Sequence, residues 1–343
     1  MSSVPIGPAS GIKDPLLHQQ WFALAWSEEV ARGQLLPRVL LARDVVLWRA
    51  DDGSIHAWQD LCIHRGAKLS LGSVRQDCVV CPYHGWEYDR SGACVKIPAQ
   101  PHLPPPIKAR AQTFHTRERY GAIWVCLGQP GAGVPHFGMG DDPDFRLVAA
   151  GPYRFRALGP RLIENFLDVA HLGIVHTELL GDSQHTEIED YEVGRGTDQN
   201  GAGPEATAIR IWQPDPDGTG VPALVTYRYW VGAPLTAGLE KVSGEDSPAS
   251  TRRFGLFTQV VPIDDEHCEM RMIIAMNYGH DVPAEEIRSF QDKVAYQDKA
   301  IVESQHPELL PLDLQAELHL RSDRMAIAYR KWLTEIGMTY GTE

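Results

Sequence analysis

Short apolar runs punctuated by Gly and Asp fill the chain up to about residue 128: RVLLARDVVLWRA, IHAWQD, CVVCPY and AIWVCLG. Rich in β-branched and aromatic residues, they predict strands and hence a small all-β unit. A stretch dense in Gly, Pro and Asp follows, GQPGAGVPHFGMGDDPD, and is the best linker in the sequence. Beyond it the apolar period changes. A helical pattern occupies about 160–173, alternating patterns in ALVTYRYWV, FGLFTQVVPI and CEMRMIIAMNY predict strands, and a long helical pattern runs from about 284 to 305. Strands flanked by helices make the whole an α+β chain. The expected organisation is an N-terminal extension over 1–17, a β domain over 18–128, a linker over 129–145 and a second domain over 146–343.

At 343 residues the chain is long enough for two domains with their own cores. Its formal net charge of −13 argues against nucleic acid and against an anionic membrane surface as partners, since both require a basic face. Neither a leader-like start nor an apolar run of membrane-spanning length is present, so a cytoplasmic location is expected. The six cysteines include four in one short window, a distribution that suits metal binding better than a disulfide framework.

Three of those four lie in LCIHRGAKLSLGSVRQDCVVCPYHGWEYD, where the chemistry concentrates. Cys78 and Cys81 form a CxxC, but no second CxxC exists to complete a tetrahedral zinc site. The pairs that do repeat are mixed: Cys62-x-His64 and, after sixteen residues, Cys81-x-x-His84. Two thiolates and two imidazoles in this order suit a Rieske [2Fe–2S] cluster, with the thiolates on one iron and the imidazoles on the other. Gly66, Gly85 and Pro82 supply the loop chemistry needed to wrap backbone amides around bridging sulfides. Cys78, Cys94, Cys126 and Cys268 are assigned to packing.

In the second half, RLIENFLDVAHLGIVHTELLGD carries His171 and His176. At about 100° per residue an unbroken helix would hold them roughly 140° apart, too far to share a metal. Gly173 between them lets the helix bend or end, so that His176 can swing back. Asn165 and Asp168 precede His171 at intervals of three. Two histidines need a carboxylate to complete a facial triad for non-haem Fe(II). Asp298 is the candidate, because it falls on the apolar stripe Ile287, Phe290, Val294, Ile301 and Val302 of the long helix, while Asp292 and Glu303 share the opposite, solvated face.

The paired Cys/His loops, the forms HRGA and YHGWEYD, and the run Asn-x-x-Asp-x-x-His-x4-His together resemble the Rieske non-haem iron oxygenases. Respiratory Rieske proteins have an extra cysteine in each loop, where this chain has Ala67 and Tyr83. Length, the IPAQPHLPPP segment and the closing SDRMAIAYRKWLTEIG are most similar to the phthalate-dioxygenase-type terminal oxygenases, the group of dicamba and vanillate O-demethylases and saxitoxin-tailoring hydroxylases. The resemblance implies a helix-grip-like catalytic domain after the Rieske domain. It implies electrons drawn from NAD(P)H through a flavin/iron–sulfur reductase, with or without a ferredoxin, to a cluster at Cys62, His64, Cys81 and His84. From there they reach Fe(II) at His171, His176 and Asp298, with Asn165 beside the metal. It further implies a homotrimer in which Asp168 links His84 of one subunit to His171 of the next. Hydroxylation or O/N-demethylation of an aromatic or polycyclic substrate is the expected activity. Cis-dihydroxylation and a non-catalytic electron carrier are the alternatives. Tyr227, Tyr229, Phe254, Leu256, Met272, Ile274 and Met276 share strand faces that can line a substrate cavity, with packed core the expected role for most of them.

Overall fold

The computed structural model describes residues 11–196, 203–216, 218–243 and 251–343; residues 1–10 of the N-terminal extension lie outside it. Two compact units divide at Val134 and Pro135.

The first unit contains a helical turn α1 (Pro15–His18) and strands β1 (Phe22–Trp26), β2 (Leu35–Leu40), β3 (Arg43–Arg49), β4 (Ile55–Gln59), β5 (Ser73–Arg75), β6 (Cys78–Val80), β7 (Glu87–Tyr88), β8 (Cys94–Lys96), β9 (Thr113–Arg119) and β10 (Ala122–Cys126). They form a six-stranded sheet ordered β1-β10-β9-β4-β3-β2 and a four-stranded sheet β5-β6-β7-β8. The run RVLLARDVVLWRA is a hairpin rather than one strand: Leu41 and Ala42 both take positive φ, 53° and 56°, between β2 and β3. Neither residue is a usual turn former, which hides the reversal in the sequence. One core of this unit gathers Trp48, Trp58, Leu69, Val79 and Tyr88 around Cys62 and Cys81.

The second unit opens with the helical turn α2 (Gly138–Asp141) and β11 (Arg146–Phe155), followed by α3 (Gly159–Leu167), β12 (Glu192–Arg195), β13 (Pro204–Gln213), β14 (Ala223–Ala233), β15 (Thr236–Ser243), β16 (Arg253–Pro262), β17 (Cys268–Met276), α4 (Ala284–Val302) and α5 (Arg324–Ile336). Seven antiparallel strands run β11-β17-β16-β15-β14-β13-β12. The Gly/Pro-rich stretch between the β domain and β11 is partly built into this unit: Phe137 is fully buried and stacks on Phe257 at 5.0 Å, and Met139 is buried. The packing is close, for a Cβ added at Gly255 would sit 2.3 Å from Met139 Sδ.

Two features aim the helices. The first is a buried charge network between α3 and α5. Arg330 Nε and Nη2 donate to Glu164 Oε1 (2.5 Å) and Oε2 (2.9 Å), while Arg161 Nη2 donates to Glu317 Oε1 (3.0 Å) and Arg330 Nη2 to Glu317 Oε2 (2.5 Å). Such charges are tolerated inside a core only when paired on this scale. The second is the face of α4. Its buried residues are Gln291, Val294, Ala295 and Val302, whereas Phe290 and Ile301 of the expected stripe are exposed. Asp292 and Glu303 are not simply solvated either, since Tyr153 Oη donates to Asp292 (2.7 Å) and the Arg156 N–H to Glu303 (2.8 Å), tying α4 to β11 and its C-terminal edge. Among the described residues no helix is long and apolar enough to cross a membrane.

Candidate active site

The two Cys/His loops of the first unit lie at strand ends, one after β4 and one between β6 and β7. Each closes by backbone bonds of the same kind: the Gly66 N–H donates to Cys62 O (2.9 Å) and the Gly85 N–H to Cys81 O (3.1 Å). Both glycines have positive φ, 71° and 67°, which a side chain would strain. The loops separate the donors by burial. Both cysteines are buried; His84 is exposed and His64 half-buried, with their Nδ1 atoms 3.2 Å apart. The His64 ring stacks on Trp86 at 4.5 Å. Slight burial, then the neighbouring His84 and Arg65, hold the His64 pKa below the usual value, which favours the neutral, ligating imidazole. Tyr88 Oη lies 3.1 Å from Cys62 Sγ. Two buried sulfurs beneath two imidazoles are the donor set of a Rieske cluster, and the residues fit it.

In the second unit the chain leaves helical geometry earlier than its sequence suggests. α3 ends at Leu167, Asp168 is extended (φ −72°, ψ 128°), and a 3₁₀ turn covers Ala170–Gly173. One break thus precedes His171, and the 3₁₀ turn that carries His171 itself ends at Gly173, so the chain leaves helical geometry a second time before His176. Asp168 secures the first break, its carboxylate accepting from the Ala170 N–H at 2.8 Å. Close packing is the role of Gly181, where an added Cβ would lie 2.6 Å from Gly173 Cα.

His171, His176 and Asp298 come together, the last from α4. Asp298 Oδ1 is 3.0 Å from His176 Nε2 and 3.6 Å from His171 Nε2. His176 Nδ1 donates to Gln297 Oε1 at 2.8 Å, which leaves Nε2 as a lone pair facing the carboxylate. Asp298 Oδ1 is buried with no hydrogen bond. Three acceptor atoms converging in a buried place repel one another unless a cation sits among them, so the trio fits a metal ion. The same field acts on His176: burial alone would lower its pKa, but Asp298 and Gln297 outweigh it and raise it. Asp168 Oδ2 is 3.5 Å from His171 Nδ1, in ion-pair range but too poorly aimed for a hydrogen bond. Burial would raise the Asp168 pKa, yet His171 and the Ala170 N–H hold it below the usual carboxylate range.

The trio opens on a cavity of about 630 Å³ that Asn165 also lines. Tyr227, Tyr229, Phe254, Leu256, Met272 and Met276 all line it and Ile274 does not, so packed core is not the role of most of these residues. Their placement follows from strand register. Tyr227, Lys241, Phe254 and Met276 lie opposite one another across four strands, and Tyr229, Leu239, Leu256 and Ile274 form the next row. Gln297 and the cavity residues Gln213 and Lys241 were not anticipated. A signal existed for the last two, since each stands two places from an apolar residue of its strand, Ile211 or Leu239, and so shares its face.

Comparison with known proteins agrees with this geometry. The family model of the Rieske [2Fe–2S] domain matches residues 20–109, and that of the vanillate O-demethylase oxygenase C-terminal domain matches residues 155–337. The chain belongs to the Rieske non-haem iron oxygenases. It is 33% identical over 302 residues to the methylxanthine N1-demethylase NdmA of Pseudomonas putida, covering 87% of this chain and 81% of that one. The structure of that protein with caffeine superposes with a TM-score of 0.77 at 30% identity, over 94% of this chain and 91% of the other. Dicamba monooxygenase bound to dicamba shares the fold, with a TM-score of 0.73 at 24% identity over 93% of this chain and 97% of that one. A shorter likeness, 42% identity over 112 residues, links 32% of this chain to 19% of the oxidoreductase NdmD of Pseudomonas putida. This Rieske oxygenase is thus a terminal oxygenase. It works with a reductase that draws on NAD(P)H, and its cofactors are a Rieske [2Fe–2S] cluster and mononuclear Fe(II).

Proposed function

We propose that this oxygenase removes N- or O-methyl groups from a small planar aromatic substrate. One observation carries the reading: the His171, His176 and Asp298 donors open on a cavity of about 630 Å³ whose lining includes many methionine, leucine and aromatic side chains, a lining that suits an aromatic ring. The relatives named above are a methylxanthine N1-demethylase and a monooxygenase bound to dicamba.

In this reading Cys62, His64, Cys81 and His84 hold the cluster in a domain over 18–128, and His171, His176 and Asp298 hold Fe(II) in a domain over 146–343. Bound there, the iron supplies oxygen activation. The chain does the rest. Gln297 accepts the His176 Nδ1 proton and so keeps Nε2 available for ligation. Asp168 orients His171, and in a homotrimer it would receive the electron path from His84 of a neighbouring subunit. Asn165 borders the reacting position. Phe166 packs edge-on against Tyr229 at 5.8 Å and closes one wall against water. Overall, one atom of O₂ enters a methyl C–H bond and the other leaves as water, at a cost of two electrons and two protons. The hydroxymethyl product then releases formaldehyde.

The test is O₂ uptake by the reconstituted holoenzyme and reductase over N-methyl heteroaromatics and methoxyarenes. Formaldehyde equal to coupled O₂ uptake is expected. A cis-diol with no formaldehyde would replace demethylation by dihydroxylation.

A further inference from the structure

At one row of the cavity wall an apolar lining gives way to hydrogen-bond donors. Gln213 is fully buried and Lys241 only 9% exposed. The Lys241 ammonium donates to Gln213 Oε1 (3.3 Å) and to Pro216 O, and lies 5.1 Å from the centre of the Phe254 ring. These contacts fix the Gln213 amide. An ammonium can only donate, so the atom facing it is the amide oxygen; Leu180 O can only accept, so the amide nitrogen faces that side at 2.8 Å. The same nitrogen must then donate to the Tyr227 hydroxyl oxygen at 2.7 Å. With its oxygen accepting from Gln213, the Tyr227 hydroxyl keeps its own hydrogen to donate, and Tyr227 lines the cavity.

The position along the wall matters as much as the chemistry. Tyr227 and Lys241 share one row; Tyr229 and Leu239 share the next, about 7 Å along the strands. Tyr229 is the tyrosine on the metal side, since its ring meets that of Phe166, the neighbour of Asn165, at 5.8 Å. The donor row therefore stands one row farther from the His/Asp trio than Tyr229 does. Asp215, whose carboxylate accepts from the Gly220 N–H at 2.9 Å, Asp281 and Glu286 also line the cavity among the described residues.

We propose that Lys241 and Tyr227, locked in place by Gln213, form a subsite for a carboxylate or carbonyl oxygen of the substrate. The substrate class is then a planar aromatic bearing such an oxygen across the ring from its methyl group. The inference rests on the reading that this cavity holds the substrate.

Three probes of one shape test it on the holoenzyme: 4-methoxybenzoate, 4-methoxyacetophenone and 4-methoxytoluene, each measured for affinity by equilibrium dialysis and for formaldehyde release. The acid and ketone should bind more tightly than 4-methoxytoluene. Lys241→Met should weaken the acid by about tenfold to a hundredfold and leave 4-methoxytoluene within about twofold, as expected for loss of a hydrogen bond to a charged group. Lys241→Arg should restore most of the affinity for the acid. Tyr227→Phe, which removes only an oxygen atom, should weaken acid and ketone alike by about fivefold to tenfold, and it decides the matter if the lysine variant does not fold. Equal losses on all three probes, no loss, or a wild-type enzyme that binds neither acid nor ketone would overturn the subsite. Binding with the expected variant pattern but without formaldehyde would leave the subsite standing and remove the demethylation reading instead.

Discussion

Single side chains decide whether each metal centre keeps its cofactor and how it is tuned. Among the described residues Asp298 is the one carboxylate that faces both His171 and His176, so Asp298→Asn should lose the mononuclear iron and all turnover while the cluster's visible spectrum stays unchanged. Wild-type iron content in that variant would place the third ligand elsewhere. Gln297 acts through His176. Without its oxygen the imidazole is no longer held with its proton on Nδ1, and Gln297→Leu should lower iron affinity by about tenfold to a hundredfold in chelator competition. In the other centre Tyr88 Oη is 3.1 Å from Cys62 Sγ. Donation to a ligand sulfur stabilises the reduced cluster, so Tyr88→Phe should lower the reduction potential by some tens of millivolts. An unchanged potential in protein-film voltammetry would mean that the hydroxyl donates elsewhere.

At the scale of elements, the metal helix is positioned from outside the cavity. α3 ends at Leu167, and its buried Glu164 is gripped by Arg330 of α5, which also reaches Glu317. Removing one partner leaves buried carboxylates unpaired. Arg330→Met should cost about 3 kcal/mol in urea unfolding, with cluster and iron stoichiometry falling only as the fold does; a loss under about 1 kcal/mol would show the network to be dispensable. The network also has a pH signature. Burial would raise the Glu317 pKa, but Arg330 and Arg161 outweigh it and the pKa is lowered. A carboxylate depressed in the folded state contributes stability above its ordinary value of about 4.3 and loses it as pH falls through the folded-state value. Glu317→Gln should therefore be less stable at neutral pH and show a flatter acid limb below about pH 4.3, because the wild type alone has that contribution to lose.

For the whole molecule the open question is how electrons enter the metal centre. The proposed homotrimer places Asp168 between imidazoles of two subunits. Asp168→Asn removes no ligand atom, so both metals should remain while turnover collapses. Pre-reduced variant mixed rapidly with O₂ and substrate should reoxidise its cluster slowly; the unmodified rate would exclude Asp168 from the path. Gel filtration tests the premise, since an active monomer would rule out an obligatory route between subunits.

The chemistry was legible in the chain because cluster loops and metal helices are local. Cys62, His64, Cys81 and His84 sit in two tight turns whose glycines announce themselves, and Asn165, Asp168, His171 and His176 fall within one short run. Asp298 could be inferred because a carboxylate on a half-buried helix face needs a cation. Periodicity also located the α+β order and α4. Other features depended on distance in space. The hairpin at Leu41 and Ala42 uses left-handed backbone without the residues that usually signal it, and α3 already ends at Leu167, with Asp168 capping the turn that follows, ahead of the end at Gly173 that the sequence signals. Which faces of α4 and of the seven-stranded sheet enclose a cavity depends on strand register and on what packs against them. Local sequence therefore determined the donor atoms, whereas the approach of α4, Gln213 and Lys241 decided what those atoms face. A ligand motif needs only a few adjacent torsion angles; a cavity is the space left when elements far apart in the chain have finished packing.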